Sequence, residues 1–175
     1  MQKINQRFGC LAICAFPCVV FGAVSATPSA ELSTAPLSHV LETFRASLIS
    51  KDKDVLSSLP VSDGITFIRV TDDKELALVR TKRPDAKKAN SSTYSSFVNF
   101  IASSHDRLEE KVSNVRIHTD GLVATIYFDY TFNVNDLASN WGHETWGLVN
   151  TDDGWKISSI VWSESTDLQK LKKAI

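Results

Sequence analysis

Glu144 is the residue of this chain best placed to do chemistry. It stands two positions before Trp146 and four before Leu148 in the strand-like run Trp141–Asn150, where alternate residues share a face. A carboxyl on an apolar face is desolvated. Its neutral form is favoured, and it can serve as a general acid or base. Tyr130 falls on the apolar face of the neighbouring run and can donate a hydrogen bond to Glu144 or to a ligand oxygen. The alternative for Glu144 is structural pairing with a backbone amide, a tyrosine or an arginine at the rim. Glu144 and Tyr130 are thus the expected catalytic pair. Phe97, Phe128, Trp141 and Trp146 join them in the expected ligand-binding set.

Other polar groups carry less. Asp129 lies between Tyr127 and Tyr130, but alternation points it away from the apolar face, and only a bulge would reverse this. His105-Asp106-Arg107 contains a His-Asp pair that suits a proton relay or, since chain neighbours seldom face one another, a turn. His39, His118 and His143 lack the spacing of metal ligands. No nucleophile elbow, phosphate-cradling glycine loop or dinucleotide fingerprint occurs. No metal and no cofactor is expected. Trp146 and Trp155 read as core. Trp141 and Trp162 suit a pocket or a dimer face.

The elements that must position these residues are strands. Leu122–Asn133, Trp141–Asn150 and Trp155–Ser163 are predicted to follow one another antiparallel, with Asp152-Asp153-Gly154 turning the second hairpin. The inward face of the first carries Leu122, Ala124, Ile126, Phe128, Tyr130 and Phe132. That of the last carries Trp155, Ile157, Ser159 and Val161. Leu108–Thr119 is a fourth strand, turned by Asp120-Gly121. Upstream, Leu37, Val40, Leu41, Phe44 and Leu48 follow helical spacing after Pro36. Asp52 or Asp54 caps a second short helix. Ile65–Val70 and Leu76–Thr81 read as a hairpin. Lys82–Lys88 is a basic loop, able to meet an anionic ligand or simply solvated. A third helix begins after Ser91, Ser92 or Thr93, and a last one covers Leu168, Leu171 and Ile175. Helices on one face of an antiparallel sheet make an α+β domain. A strongly curved sheet with about three helices from the N-terminal half on its concave face makes a cone with an interior pocket.

The chain has 175 residues, which suits one domain. Residues 1–26 read as a signal peptide: Lys3 and Arg7, then the apolar stretch Phe8–Phe21, then Val24-Ser25-Ala26 with cleavage after Ala26. The alternative is an uncleaved anchor. Residues 27–35 form a flexible leader and 36–175 the domain. All three cysteines, Cys10, Cys14 and Cys18, fall in the first segment, so the mature chain has no disulfide and no thiolate site. Without Lys3 and Arg7 it carries 17 basic and 20 acidic residues, a net charge of about −3. That balance gives no electrostatic case for nucleic acid. The expected location is periplasmic or secreted, with no membrane association after cleavage.

The runs Leu108–Val112, Val115-Arg116-Ile117 and Leu122–Phe132, with Trp141–Val149 and Asp153–Ile157, resemble the nuclear transport factor 2-like superfamily. The nearest resemblance is to its secreted bacterial branch known as SnoaL-like or lumazine-binding. The resemblance implies a cone-shaped α+β fold, commonly dimeric through the sheet. The superfamily includes isomerases, epoxide hydrolases, dehydratases, polyketide cyclases and many non-catalytic domains, so the fold does not decide the function. The branch often has Asp where this chain has Glu144, and His-Cys where it has Asn140-Trp141. The expected function is non-catalytic binding of a small, partly apolar molecule, or an interaction role, in a homodimer. The alternative is an isomerase, hydrolase or dehydratase using Glu144.

Overall fold

Alternation of apolar and polar residues builds the four long strands. The computed structural model describes residues 33–174, and the expected signal peptide and most of the leader lie outside them. Among the described residues, no helix is long and apolar enough to cross a membrane. Strands β3 (Leu108–Thr119), β4 (Val123–Val134), β5 (Leu137–Thr151) and β6 (Gly154–Thr166) are successive antiparallel neighbours.

Each turn has a chemical cause. The Asp120 carboxylate accepts from the N–H groups of Leu122 and Val123, both at 2.9 Å, and Gly121 supplies the positive φ. Asn135 and Asp136 supply positive φ between β4 and β5, as residues of their type tolerate. Gly154 does so as the first residue of β6.

Ala124, Ile126, Phe128 and Tyr130 are buried on one face of β4, as alternation requires. Leu122 does not join them. It belongs to the turn and is exposed. The expected face of β6 also needs correction. Leu148 pairs with Ile157 but Gly147 pairs with Ser159, so Ser158 is an extra residue and the strand bulges. Beyond a bulge parity inverts: Ile160 is buried, Trp162 faces inward, and Val161 sits opposite the outward Thr145.

The sheet has six strands, curved and unclosed, because two more join at β6. Strand β1 (Thr66–Thr71) runs parallel to β6, and β2 (Ala89–Ser91) pairs antiparallel with β1. The expected hairpin after Val70 is replaced by helix α3 (Asp73–Arg80). Asp72 Oδ1 accepts from Lys74 N at 2.8 Å and Glu75 N at 3.3 Å, capping the helix. Asp73 and Glu75 in the first turn and Arg80 in the last suit its dipole.

Helix α1 (Ala35–Ser50) buries Leu37, Val40, Leu41, Phe44 and Leu48. Asp52 caps α2 (Lys53–Ser58), and Thr93 caps α4 (Tyr94–Ser103). The chain's last described element is α5 (Leu168–Ala174). The core lies between α1, α4 and the inner sheet face. At its centre Trp146 packs edge-on against Phe44 at 4.9 Å and Phe128 at 5.5 Å.

Candidate functional site

Between the helices and the inner sheet face lies a cavity of about 180 Å³. Its walls are aromatic: Phe44 from α1, Phe67 from β1, Phe97 and Phe100 from α4, Phe132 from β4 and Trp162 from β6. Phe67 meets Trp162 at 4.7 Å and Phe97 at 5.5 Å, and Phe44 stacks on Phe97 at 5.9 Å. Its polar lining consists of Glu110, Tyr130, Asn140, Glu144 and Glu164.

Alternation along β5 brings Glu144 inward beside Trp146. It is 7 % exposed, and its Oε2 accepts the Trp146 indole N–H at 2.7 Å. Burial pushes the Glu144 carboxyl up to about 7, against the pull of that indole hydrogen bond. Glu110 is the residue the sequence reading missed. Leu108 and Val112, two positions either side, share its face on β3, and it is 4 % exposed opposite Phe132. Its Oε1 is buried without a hydrogen-bond partner. Burial raises its pKa well above the ordinary carboxyl value, the charge of Glu144 raises it further, and Arg45 opposes both. The Arg45 guanidinium is engaged elsewhere, with Nε on the Glu110 carbonyl at 3.0 Å and NH1 on Glu42 at 2.8 Å. The two carboxyls therefore form a coupled, protonatable pair in a low-dielectric cavity.

Tyr130 lines the cavity but does not offer its proton to Glu144. Its hydroxyl donates to the Ser163 carbonyl at 3.1 Å. Gly142 stands opposite Tyr130, and a Cβ there would lie 2.1 Å from the Ser163 carbonyl oxygen. The missing side chain is what lets β6 approach. Burial first, then the charges of Glu144, Glu164 and Glu110, raises the Tyr130 pKa, so the phenol stays protonated.

Of the expected ligand-binding set, Phe97, Tyr130 and Glu144 meet at the cavity. Phe128 and Trp146 are fully buried in the core and do not line it. Trp146 reaches the site only through its indole N–H. Trp141 is on the other face, opposite Thr131 and 40 % exposed, because odd-numbered residues of β5 point outward there. Trp162 lines the cavity, one of the two places it suited. At the rim Glu164 accepts from Arg69 NH1 at 3.0 Å.

On the outer face Asp129 accepts from His143 Nδ1 and from Asn114 Nδ2, both at 2.6 Å. Asn114 lies at a bulge with φ 54°. Its hydrogen bond first, then that of His143, holds the Asp129 carboxyl below its ordinary range. The ring of His143 stacks on Tyr127 at 5.7 Å. The His105-Asp106-Arg107 run has a turn role: Asp106 accepts from Asn135 Nδ2 at 2.7 Å and Arg107 pairs with Asp136. Among the described residues, no three His, Cys, Asp or Glu side chains gather as a metal site.

No protein-family model matches the sequence, and no curated protein matches it. Solved structures do match. A nuclear transport factor 2-like protein from Cytophaga hutchinsonii superimposes with a TM-score of 0.59 at 11 % identity, over 77 % of this chain and 99 % of that one. A protein assigned as a candidate dehydratase of that family, from Streptomyces avermitilis, gives 0.55 at 14 %, over 77 % and 96 %. A candidate scytalone dehydratase from Novosphingobium aromaticivorans gives 0.56 at 12 %, over 76 % and 84 %. At such identities the likeness is one of fold, and the fold is the nuclear transport factor 2-like one.

Proposed function

We propose that the aromatic cavity binds a small, partly apolar molecule and that the Glu110–Glu144 pair moves a proton on it. The observation that carries this is two buried carboxyls in one aromatic-walled cavity, with no ion-pair partner for either among the described residues. Burying such groups costs stability, and sites that keep them generally use them. A carboxyl near 7 can take a proton and return it at neutral pH. Removal of a proton beside a leaving hydroxyl is dehydration, the reaction for which two structural neighbours are named. Membership of the SnoaL-like branch, export through residues 1–26 and a homodimer formed through the sheet belong to the same reading.

Binding without turnover is a second reading. It is favoured by Tyr130, whose proton goes to a backbone carbonyl rather than to a substrate oxygen.

One pair of measurements separates the two readings. Native mass spectrometry of protein purified without denaturation is expected to show a retained small molecule. That molecule, incubated with the protein in deuterated water, should gain deuterium at carbon. Glu144→Gln and Glu110→Gln should each slow the exchange by about 100-fold or more while the molecule still binds. Binding with no exchange in the wild type would leave the second reading. A cavity that retains nothing and exchanges nothing in any β-hydroxy carbonyl or epoxide offered would defeat both.

A further inference from the structure

The molecule has a second cavity, of about 200 Å³, away from the aromatic one. It lies among α3, β1, β2, the basic loop 82–88 and Leu171 of α5. Arg69 lines it and Glu164 lines the aromatic cavity, so their ion pair stands between the two spaces.

Its lining has opposite charges in separate places. Glu75 is in the first turn of α3, where the Asp72 cap starts the helix so that Glu75 and Leu76 turn inward. Glu75 is 7 % exposed, and its Oε2 is buried with no hydrogen-bond partner. The basic loop supplies the other charge. Two of its neighbouring cations serve structure: Arg80 Nε donates to the Ala86 carbonyl at 3.0 Å, and Lys88 pairs with Asp73 at 2.6 Å. Arg83 and Lys87 line the cavity instead. Neither side chain makes an ion pair or hydrogen bond among the described residues.

We propose that this cavity binds a small zwitterion of the α-amino-acid type, with its carboxylate on Arg83 and Lys87 and its ammonium on Glu75. A lone anion such as phosphate meets the two cations but also the Glu75 carboxyl. A lone amine meets Glu75 but also Arg69, Arg83 and Lys87. Only a ligand carrying both charges completes both ends of the cavity. A buried, unpaired carboxyl oxygen is costly. Burial, and then the charge of Glu164, raises the Glu75 pKa, while the Thr166 hydroxyl and Arg69 pull it down, and an incoming ammonium adds to that pull. Leu76 and Val79 give the wall an apolar part for a short side chain. A space of about 200 Å³ suits a compact amino acid. This site stands whether or not the aromatic cavity does chemistry.

Isothermal titration calorimetry on the whole chain tests it with alanine and valine as zwitterions. The incomplete probes are propionate, ethylamine and inorganic phosphate. The zwitterions should saturate one site, and each incomplete probe should bind at least about tenfold more weakly. Arg83→Gln with Lys87→Gln should weaken alanine by about tenfold or more. Both positions are exposed, so that variant should fold. Glu75→Gln should erase the preference for alanine over propionate, weakening alanine and, with the repelling carboxylate gone, strengthening propionate. Phosphate or propionate binding as tightly as alanine would overturn the proposal. So would failure of both zwitterions to bind, or alanine binding that ignores the Arg83 and Lys87 substitutions.

Discussion

His143 and Glu144 are neighbours in the chain and face opposite sides of the sheet. On the outer side, His143 meets the Asp129 carboxylate, which also accepts from Asn114 in open solvent. On the inner side, Glu144 has the single indole donor of Trp146 and almost no water. The consequence is opposite shifts: Asp129 is held below the ordinary carboxyl range, and Glu144 is pushed up to about 7. What decides the state of each carboxyl is the number of donors and the access of water, not the local count of charges. The same β-strands thus carry a carboxylate that stays ionised at neutral pH on one face and one that is protonatable there on the other. Only the second is suited to move a proton at neutral pH.

The largest expected effect tests how tightly the inner face is built. Gly142→Ala puts a methyl against the Ser163 carbonyl, a backbone atom that cannot rotate away. The expected loss is about 3 kcal/mol, with loss of the Tyr130 hydrogen bond to that carbonyl. On the outer face, a Cβ at Gly147 meets the Ser159 hydroxyl at 2.6 Å, the end of a side chain that can turn. Gly147→Ala should therefore cost less than half as much. Urea unfolding of both variants checks this. Equal losses would mean that the two faces are equally constrained.

A smaller effect tests the protonation contrast itself. Because Glu144 is raised from 4.5 to about 7, its neutral form contributes stability that is complete below about pH 4.5 and is lost as the pH rises through about 7. A shift of this size corresponds to about 3 kcal/mol at most, and less where the site relaxes or admits water. Glu144→Gln keeps an acceptor for the Trp146 indole and has no charge to bury. The wild type should lose stability across that window, and the variant should lose about 1–2 kcal/mol less. Denaturant midpoints measured across the window check it. The remaining slope in the variant includes Glu110 and Glu75, which are shifted in the same direction. Parallel curves for the two proteins would show that Glu144 is ionised at little cost.

How much of this was legible in the sequence depends on where alternation runs unbroken. From Ala124 to Phe132 it does, and the inward Tyr130 and outward Asp129 followed directly. It also holds from Trp141 to Leu148, so Glu144 was correctly placed facing inward and Trp141 should have been read as outward. Glu110 was equally readable, flanked at two-residue spacing by Leu108 and Val112. The charged run Glu109-Glu110-Lys111 hid it, because three adjacent charges look like a solvated edge. The bulge at Ser158 had no such signal: two serines in a row fit either register, and only pairing with Gly147 and Leu148 decides between them. Helix α3 was misread because Leu76, Leu78 and Arg80 fit period two as well as Leu76 and Val79 fit the helix. The Asp72 cap decided the matter. Arg83 and Lys87 were visible as basic residues, but the buried Glu75 that gives them a counterpart depended on that same helix.

The smallest effect belongs to the outer face. A carboxylate with a depressed pKa contributes stability above its unfolded value and loses it as the pH falls through the folded one. Asp129 has an ordinary value of 3.8, lowered here by Asn114 and then His143. Asp129→Asn keeps a side-chain oxygen to accept from Asn114 and removes the charge. In solvent, exposed charge pairs contribute little and salt screens them. At neutral pH and low salt the variant should therefore melt only slightly below the wild type, and the gap should narrow in high salt. It should close on acidification, when the wild-type carboxylate takes up its proton. Thermal melts at neutral and acidic pH, with and without salt, measure both trends. A large gap that survived salt would mean that the outer carboxylate is shielded from water after all. Something would then cover that face of the sheet in solution, and the contrast with Glu144 would rest on donors alone.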